Sequence, residues 1–195
     1  MKYQDDMISL RELDRFHNLY DNADYGYFWN PNRNAQRLEL TAKKTASDIV
    51  WGAKKNVILF GKRNQGKTFL AECIAQEVWR KGASVYFNSA KEIFGDVFLQ
   101  IVQTELKKQR ESPHQVFVAK LLVIDNLGIE IWNRYVAEWV EMLLRIRDNK
   151  GLSTIIVTRL AGEQIEARYG SDVLERICRS YDVWTLYGRR RIGCI

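Results

Sequence analysis

The hydrophobic and polar positions of the chain follow a repeating order from residue 56 onwards. Short, nearly continuous apolar runs are typical of strands that are buried on both faces of a parallel sheet. Longer segments with apolar residues three and four positions apart are typical of helices. The predicted strands are NVILF, SVYFN, KLLVID, STIIVT and DVWTLY. Because strands and helices alternate, the pattern predicts an α/β fold whose parallel sheet carries helices on both faces.

The segments between the predicted strands have the spacing and the end signals of helices. KTFLAECIAQEVWRK ends at Gly82 and NRYVAEWVEMLLRIRDNK ends at Gly151, and glycine is common just beyond a helix C-terminus. The other predicted helices are AKEIFGDVFLQIVQTELKKQR, GEQIEARY and DVLERICRS. One side of the NRYVAEWVEMLLRIRDNK helix is apolar and consists of Val136, Trp139, Val140, Leu143 and Leu144.

The N-terminal part of the chain lacks this regular order. Ser9 followed by Glu12 is a capping-box signature that predicts a short helix, and the aromatic cluster YGYFW comes after it. A second helix is predicted over residues 32–53. We therefore divide the chain into an N-terminal helical extension, residues 1–50, and a core domain, residues 51–195. We expect the aromatic cluster to pack on the core or near a bound base, with a partner-binding surface as the alternative.

The composition is that of one globular domain: 195 residues, of which 46% are hydrophobic and 28% charged. The net charge of +6 is a modest basic excess. It indicates either a solvated basic surface or contact with a polyanion such as nucleic acid. No apolar run is long enough to span a bilayer, and the N-terminus is too polar for a secretory signal, so we expect a cytoplasmic protein.

The cysteines do not indicate a metal site or a disulfide framework. Their number is odd, their spacing is wide and no CxxC pair occurs. They are Cys73, Cys178 and Cys194.

The strongest chemical signal is GKRNQGKT, which follows the first core strand and opens a helix. It matches G-x-x-x-x-G-K-[ST], a loop whose backbone N–H groups and helix N-terminus bind phosphate oxygens. Lys67 is expected to reach the β- and γ-phosphates of ATP, and Thr68 to offer its hydroxyl to Mg²⁺. The candidate nucleotide-binding residues here are Gly61, Lys62, Arg63, Asn64, Gln65, Gly66, Lys67, Thr68 and Phe69.

Asp125 ends the apolar strand KLLVID and is the second candidate metal ligand, beside Thr68. A carboxylate at the carboxyl end of a parallel strand faces the crevice in which ligands bind. The next residue is Asn126, where ATPases usually have a second acid. An amide can orient a water molecule by hydrogen bonding, but it cannot accept the proton of that water.

One βα unit separates the phosphate-binding loop from the strand of Asp125, which leaves room for an inserted strand between them. P-loop ATPases of the AAA+ and RecA-like kind have this layout. Small-molecule kinases are the main alternative, but no basic lid or second-substrate cluster can be picked out.

These residues resemble those of the DnaC/DnaI/IstB group of AAA+ ATPases, which are helicase loaders and transposition helper proteins. The resemblance runs from about residue 50 to residue 192. It rests on LFGKRNQGKTFLAECIAQEVWRKG at the P-loop, KLLVIDNLG at the Walker B strand, STIIVTR at the sensor-1 strand and VLERICRSYDVWTLYGRRR at the end. It implies a five-stranded parallel sheet in the order 5-1-4-3-2.

The resemblance also implies roles for residues outside the P-loop. Arg176 resembles the arginine finger that reaches the γ-phosphate of a neighbouring subunit, and Arg191, or its neighbour Arg190, resembles the sensor-2 arginine. The alternatives are a solvated helix arginine for Arg176 and a basic tail for the final arginines. The residues expected to act in catalysis are Lys67, Asp125, Asn126, Thr158 and Arg176.

The chain departs from the group at two positions of the expected site. Asn126 replaces the catalytic acid, and Arg159 stands where the group has the sensor-1 Asn. Thr158 could supply the polar contact instead, and Glu130 in the adjoining loop could supply a carboxylate. Both departures argue for slow or partner-dependent hydrolysis.

The expected partners follow from the resemblance and, more weakly, from basic pairs along the chain. The first hypothesis is an AAA+ ATPase that oligomerises on single-stranded DNA with ATP between subunits and acts with a replicative helicase or a transposase. The second is a nucleotide-binding switch that hydrolyses little or no ATP and acts through a protein partner.

Overall fold

The computed structural model describes residues 33–95 and 113–186. Predictions for the capping box, for the aromatic cluster and for most of AKEIFGDVFLQIVQTELKKQR lie outside these residues. The same holds for Cys194 and for the sensor-2 candidates Arg190 and Arg191.

Helices and strands alternate as the hydrophobic pattern predicts. The strands are β1 (Asn56–Phe60), β2 (Val85–Ser89), β3 (Leu121–Leu127), β4 (Ser153–Thr158) and β5 (Asp182–Thr185). The helices are α1 (Arg33–Val50), α2 (Lys67–Arg80), α3 (described over residues 90–95), α4 (Pro113–Val118), α5 (Arg134–Asn149), α6 (Gly162–Tyr169) and α7 (Ser171–Ser180). None of the helices within the described ranges is long and apolar enough to cross a membrane.

The five strands form one parallel sheet in the order β2-β3-β4-β1-β5. This is the predicted order, so the expected fold class is confirmed. β4 lies between β1, which leads into the phosphate-binding loop, and β3, which carries Asp125. Because all strands run the same way, their carboxyl ends meet at one edge of the sheet.

Helices α1 and α2 cover one face of the sheet. Alternate strand residues such as Val57, Leu59 and Val123 point into this layer, as period-two geometry requires. Ala42, Ala46 and Ile49 of α1 are fully buried in the same cluster, so α1 is continuous with the core. The proposed domain boundary after residue 50 stays a prediction.

Helices α5, α6 and α7 contribute to the second face, against residues such as Ile58 and Ile124. The apolar side of α5 is buried as predicted, with Trp139 partly buried beside it. Arg147 continues this side one turn beyond Leu143 and is completely buried.

The buried Arg147 joins three parts of the fold. Its guanidinium donates to the carbonyls of Val116, Ala119 and Ser153 and to the hydroxyl of Thr154. Burial lowers the pKa of Arg147 to about 10, so the group stays protonated at neutral pH. A buried charge is tolerated only when it is fully hydrogen-bonded, and here three backbone carbonyls and the Thr154 hydroxyl accept the hydrogen bonds.

Candidate nucleotide-binding site

The phosphate-binding loop occupies the carboxyl edge of β1. It turns through two left-handed residues, Asn64 with φ 62° and Gly66 with φ 78°, before α2 begins at Lys67. Asparagine and glycine are the residues that adopt this backbone conformation most readily. The loop is followed directly by a helix N-terminus, so it has the geometry of an anion-binding site.

Gly61 is required at the start of the loop because no side chain fits there. A Cβ atom at this position would lie 2.7 Å from the carbonyl oxygen of Leu186 and would collide with the amide of Gln65. The Leu186 N–H also donates to the Phe60 carbonyl, which holds the end of β5 against the loop. The approach of these groups explains the glycine independently of any ligand.

Lys67 lies over the loop with its ammonium donating to the Lys62 carbonyl at 2.7 Å. Burial, and then the nearby Arg159, lower the pKa of Lys67, while Asp125 opposes the shift. Its cation is therefore only partly compensated by the protein, which is suited to a residue that binds phosphate.

Thr68 and Asp125 meet across the site although 57 residues separate them. The Thr68 hydroxyl donates to Oδ1 of Asp125 at 2.9 Å. A hydroxyl and a carboxylate oxygen side by side match the hard oxygen ligands that Mg²⁺ prefers, with phosphates and water completing its shell. The donor set therefore fits the metal that was predicted for these two residues.

Asn126 has the left-handed conformation, with φ 55°, at an irregularity in the pairing of β3 with β4. Its side-chain nitrogen donates to Oδ2 of Asp125 at 2.7 Å. The amide thus holds the predicted metal ligand from the side opposite Thr68. In this conformation one of its two N–H donors is used on Asp125, so Asn126 positions that carboxylate.

Glu130 is held within the chain, which argues against its supplying the missing carboxylate. Its side chain is buried, Oε2 accepts from the Gly128 N–H, and Oε1 accepts from Arg168 and from the Tyr169 hydroxyl. Burial, and then the hydrogen bond to Glu130, raise the pKa of Tyr169, while Arg168 opposes the shift. Glu130 therefore ties the loop after β3 to α6.

This connection is the main feature of the site region that the sequence analysis missed. Arg168 also donates to the Glu130 carbonyl, and the Trp132 indole donates to the Arg168 carbonyl. Charge alternation along α6 gives no hint of it, because the partners lie 36 to 39 residues apart.

Thr158 and Arg159 follow one another at the end of β4 but differ in exposure. The Thr158 side chain is buried, donates its hydroxyl to the Leu127 carbonyl and accepts from the Leu160 N–H. Its only proton is thus used within the chain, so the polar contact expected of Thr158 has no free donor here. Arg159 is exposed and makes no hydrogen bond or ion pair with other residues that the structure describes.

Arg176 lies on α7 and is paired within the chain. It donates to Asp148 at 3.0 Å, and its guanidinium lies 3.6 Å from Glu141. Although burial alone would raise the pKa of Asp148, hydrogen bonds from Lys54 and Arg176 hold it below its usual value. The arginine-finger role stays a prediction, and it would require Arg176 to leave these partners.

A family model matches most of the sequence. The family described as "IstB-like ATP binding protein" matches residues 7–178, well over half of the chain. The chain belongs to this family. The resemblance stated from the motifs is therefore confirmed.

Individual relatives of this IstB-like chain are distant. It is 21% identical over 169 residues to the "Replicative helicase loader DnaC" of Buchnera aphidicola subsp. Acyrthosiphon pisum (strain APS). The match covers 87% of the chain and 68% of that loader.

Solved structures show the same fold. The crystal structure of the DnaC helicase loader superposes with a TM-score of 0.72 at 22% identity, covering 89% of this IstB-like chain and 99% of that one. DnaI superposes with a TM-score of 0.64 at 17% identity, covering 82% and 87% of the two chains. DnaA from Aquifex aeolicus bound to AMPPCP has a TM-score of 0.65 at 12% identity, and the match covers 80% of this chain and 47% of that one. The P-loop AAA+ fold is thereby shown.

Proposed function

We propose that this protein is an AAA+ ATPase that binds ATP with Mg²⁺, hydrolyses it slowly or on stimulation by a partner, and acts in DNA replication or transposition. The observation that carries the proposal is the hydrogen bond from Thr68 to Asp125. It joins the phosphate-binding loop to Asp125 of β3, which supports a nucleotide site formed by these two segments.

The residues of this crevice have distinct tasks in the proposed reaction. Lys67 binds and orients the terminal phosphates, and Thr68 and Asp125 would hold Mg²⁺. The metal, when bound, neutralises charge that develops on the phosphate oxygens. Asn126 keeps the Asp125 carboxylate in place through its 2.7 Å hydrogen bond.

Slow hydrolysis is proposed because the described residues leave the attacking water without a general base. Asn126 carries an amide, and the nearby carboxylate of Glu130 is buried and hydrogen-bonded to Gly128, Arg168 and Tyr169. General-base catalysis contributes roughly 10²- to 10⁴-fold to a rate. Its loss leaves positioning and electrostatic stabilisation, which still support turnover.

A second candidate function is a nucleotide-dependent switch with no hydrolysis. The contact between Asn126 and Asp125 favours it, since one donor of the amide next to the metal ligand is used on that ligand rather than on water. Such a protein would release its partner by exchanging nucleotide.

The partners proposed are single-stranded DNA, a replicative helicase or a transposase, and further copies of the chain. The replicative helicase loader among its relatives supports a helicase as partner, while DNA and a transposase rest on the family resemblance stated from the motifs. The net charge of +6 adds favourable long-range attraction to DNA, which would weaken as salt rises.

Steady-state ATP hydrolysis with and without single-stranded DNA tests the proposal. We expect slow turnover in the wild type that rises with DNA and disappears in Lys67→Ala. A wild type that binds ATP but shows no turnover with DNA would leave only the switch. A wild type that does not bind ATP would overturn both functions.

Mixing variants tests whether sites are shared between subunits. If Arg176 acts in trans, Arg176→Ala and Lys67→Ala chains should each be inactive alone and recover part of the turnover when mixed. Unfolding of Arg176→Ala must be measured first, because its ion pair with Asp148 is lost. Absence of recovery in chains that co-assemble would count against the finger.

A further inference from the structure

Arg159 occupies the centre of the carboxyl edge of the sheet. β4 is hydrogen-bonded to β1 on one side and to β3 on the other, and Thr158 pairs with Phe60 and with Leu127. Arg159 is the next residue, so its backbone leaves the sheet between the phosphate-binding loop and the end of β3. Ligands of parallel α/β sheets bind in this crevice.

The side chain of Arg159 has no partner of its own in the described part of the chain. It is exposed, and Arg159 and Asp125 both act electrostatically on Lys67. Arg159 lies close enough to lower the pKa of Lys67, after the larger effect of burial. Two cations therefore share the edge at which the terminal phosphate of a nucleotide is expected.

The charges of this edge do not cancel. Lys67 and Arg159 are positive, Asp125 is negative, and Asn126 is neutral. Glu130 does not add a free negative charge, because it is paired with Arg168. A site with a second acid after Asp125 and a neutral residue at position 159, as the family resemblance implies, would be more negative by two units of charge.

We infer that Arg159 binds the terminal phosphate of ATP from within the same chain and replaces part of the charge neutralisation by Mg²⁺. The site then prefers ATP to ADP and keeps much of its affinity for ATP when Mg²⁺ is removed. A guanidinium suits this role because its planar donors match phosphate oxygens in pairs. The inference rests on the proposed function, since it presupposes that ATP occupies the loop at residues 61–68.

Dissociation constants for ATP and ADP, each measured with Mg²⁺ and with EDTA, test the inference. Arg159→Asn removes the charge and installs the residue type that the resemblance implies. Arg159→Lys keeps the charge but loses the planar donors. Arg145→Asn is the matched control, since Arg145 is an exposed arginine on α5 whose partner is Glu141 on the same helix.

We expect Arg159→Asn to weaken ATP binding about 10-fold or more in EDTA and less in Mg²⁺, the scale of one charge-assisted contact. ADP binding should change by less than about 3-fold. The ATP affinity of Arg159→Lys should lie between those of the wild type and Arg159→Asn, and the affinity of Arg145→Asn should match that of the wild type. Equal thermal midpoints would show that Arg159→Asn is folded.

The outcomes separate the inference from the proposed function. The inference would be overturned, and the ATPase proposal left intact, if the wild type binds ATP and Arg159→Asn has the same ratio of ATP to ADP affinity as the wild type. Equal losses of affinity for ATP and ADP would have the same consequence. A wild type that binds neither nucleotide would overturn both.

Discussion

The two edges of the sheet hold similar charged residues but use them differently. At the amino edge, Asp148 binds Asn56 of β1, Lys54 and Arg176. At the carboxyl edge, Asp125 acts on Lys67 only electrostatically, and Arg159 is exposed without an ion pair among the described residues. Charges that satisfy one another stabilise the fold, whereas charges left uncompensated around a crevice are available to a ligand.

The backbone conformation also distinguishes the carboxyl edge from the amino edge. Both non-glycine residues with positive φ among the described residues, Asn64 and Asn126, lie at the carboxyl edge. Departures from ordinary backbone geometry concentrate at functional sites, where the surrounding structure enforces them. The contrast therefore predicts that substitutions at the amino side change stability, and that substitutions at the carboxyl edge change nucleotide chemistry.

Removing the buried cation of Arg147 should have the largest effect. Arg147→Met leaves the carbonyls of Val116, Ala119 and Ser153 without a donor, and we expect a loss of about 3 kcal/mol in the free energy of unfolding. Chemical denaturation measures it. Arg145→Met on the exposed side of the same helix is the control and should change stability by less than about 0.5 kcal/mol. An unchanged denaturation midpoint in Arg147→Met would contradict the role given to its hydrogen bonds.

Restoring an acid at position 126 should have the next largest effect, on turnover. Asn126→Asp replaces the amide that donates to Asp125 with a second carboxylate. Because Asp125 repels the new carboxylate, we expect the side chain at position 126 to turn toward the crevice, where it can act as a base. We expect a gain in ATP turnover on the order of 100-fold with Mg²⁺ present. Asn126→Ala removes the hydrogen bond without adding a base, and it should show no gain. Equal rates in both variants would mean that the amide is not what limits hydrolysis.

Neutralising Asp148 should lower stability by a smaller amount and change its pH dependence. Because the pKa of Asp148 is depressed in the folded state, its contribution is present above about pH 4, the unfolded value, and is lost as the pH falls through the folded value. Asp148→Asn should lower the free energy of unfolding by about 2 kcal/mol at neutral pH, because its ion pair with Arg176 is largely shielded from solvent. Acid titrations of unfolding should be less steep in the variant than in the wild type. Parallel titration curves would refute the assignment.

Removing an exposed ion pair should have the smallest effect on stability. Arg134 and Glu138 pair one turn apart at the start of α5, with side chains 87% and 56% exposed. Solvent screens such a pair, so Arg134→Ala should change the unfolding free energy by less than about 0.5 kcal/mol. Thermal unfolding at low and high salt measures the difference, and a larger loss would show that Arg134 has another contact.

The strands and the P-loop were predictable because each depends on a local pattern, whereas the order of the strands came from the family resemblance. Continuous apolar runs mark the buried strands, and the spacing of Gly61, Gly66 and Lys67 marks the loop. Asp125 was predictable because it follows an apolar run, although β3 continues two residues further, to Leu127. The contact between Thr68 and Asp125 follows from the sheet order, which brings the two chain segments to one edge.

The side-chain pairing between elements was not predictable in the same way. Whether Glu130 faces the crevice or turns under the loop toward Tyr169 depends on how α6 packs, and no short-range pattern encodes that. The pairing of Arg176 with Asp148 likewise depends on the rotation of α7 against α5. Arg147 did leave a signal, because it lies four residues after Leu143 and three after Leu144 on a buried stripe.

The tie through Glu130 has a mechanical consequence. The chain runs from Asp125 through Gly128 and Glu130 to the half-exposed ring of Trp132, and the hydrogen bonds of Arg168 fix this loop to α6. Because these hydrogen bonds join the loop after β3 to α6, we expect a shift at the end of β3 to move α6 as well. Trp132 lies in this loop, so its fluorescence, in a variant whose other five tryptophans are replaced, tests whether nucleotide binding moves the loop.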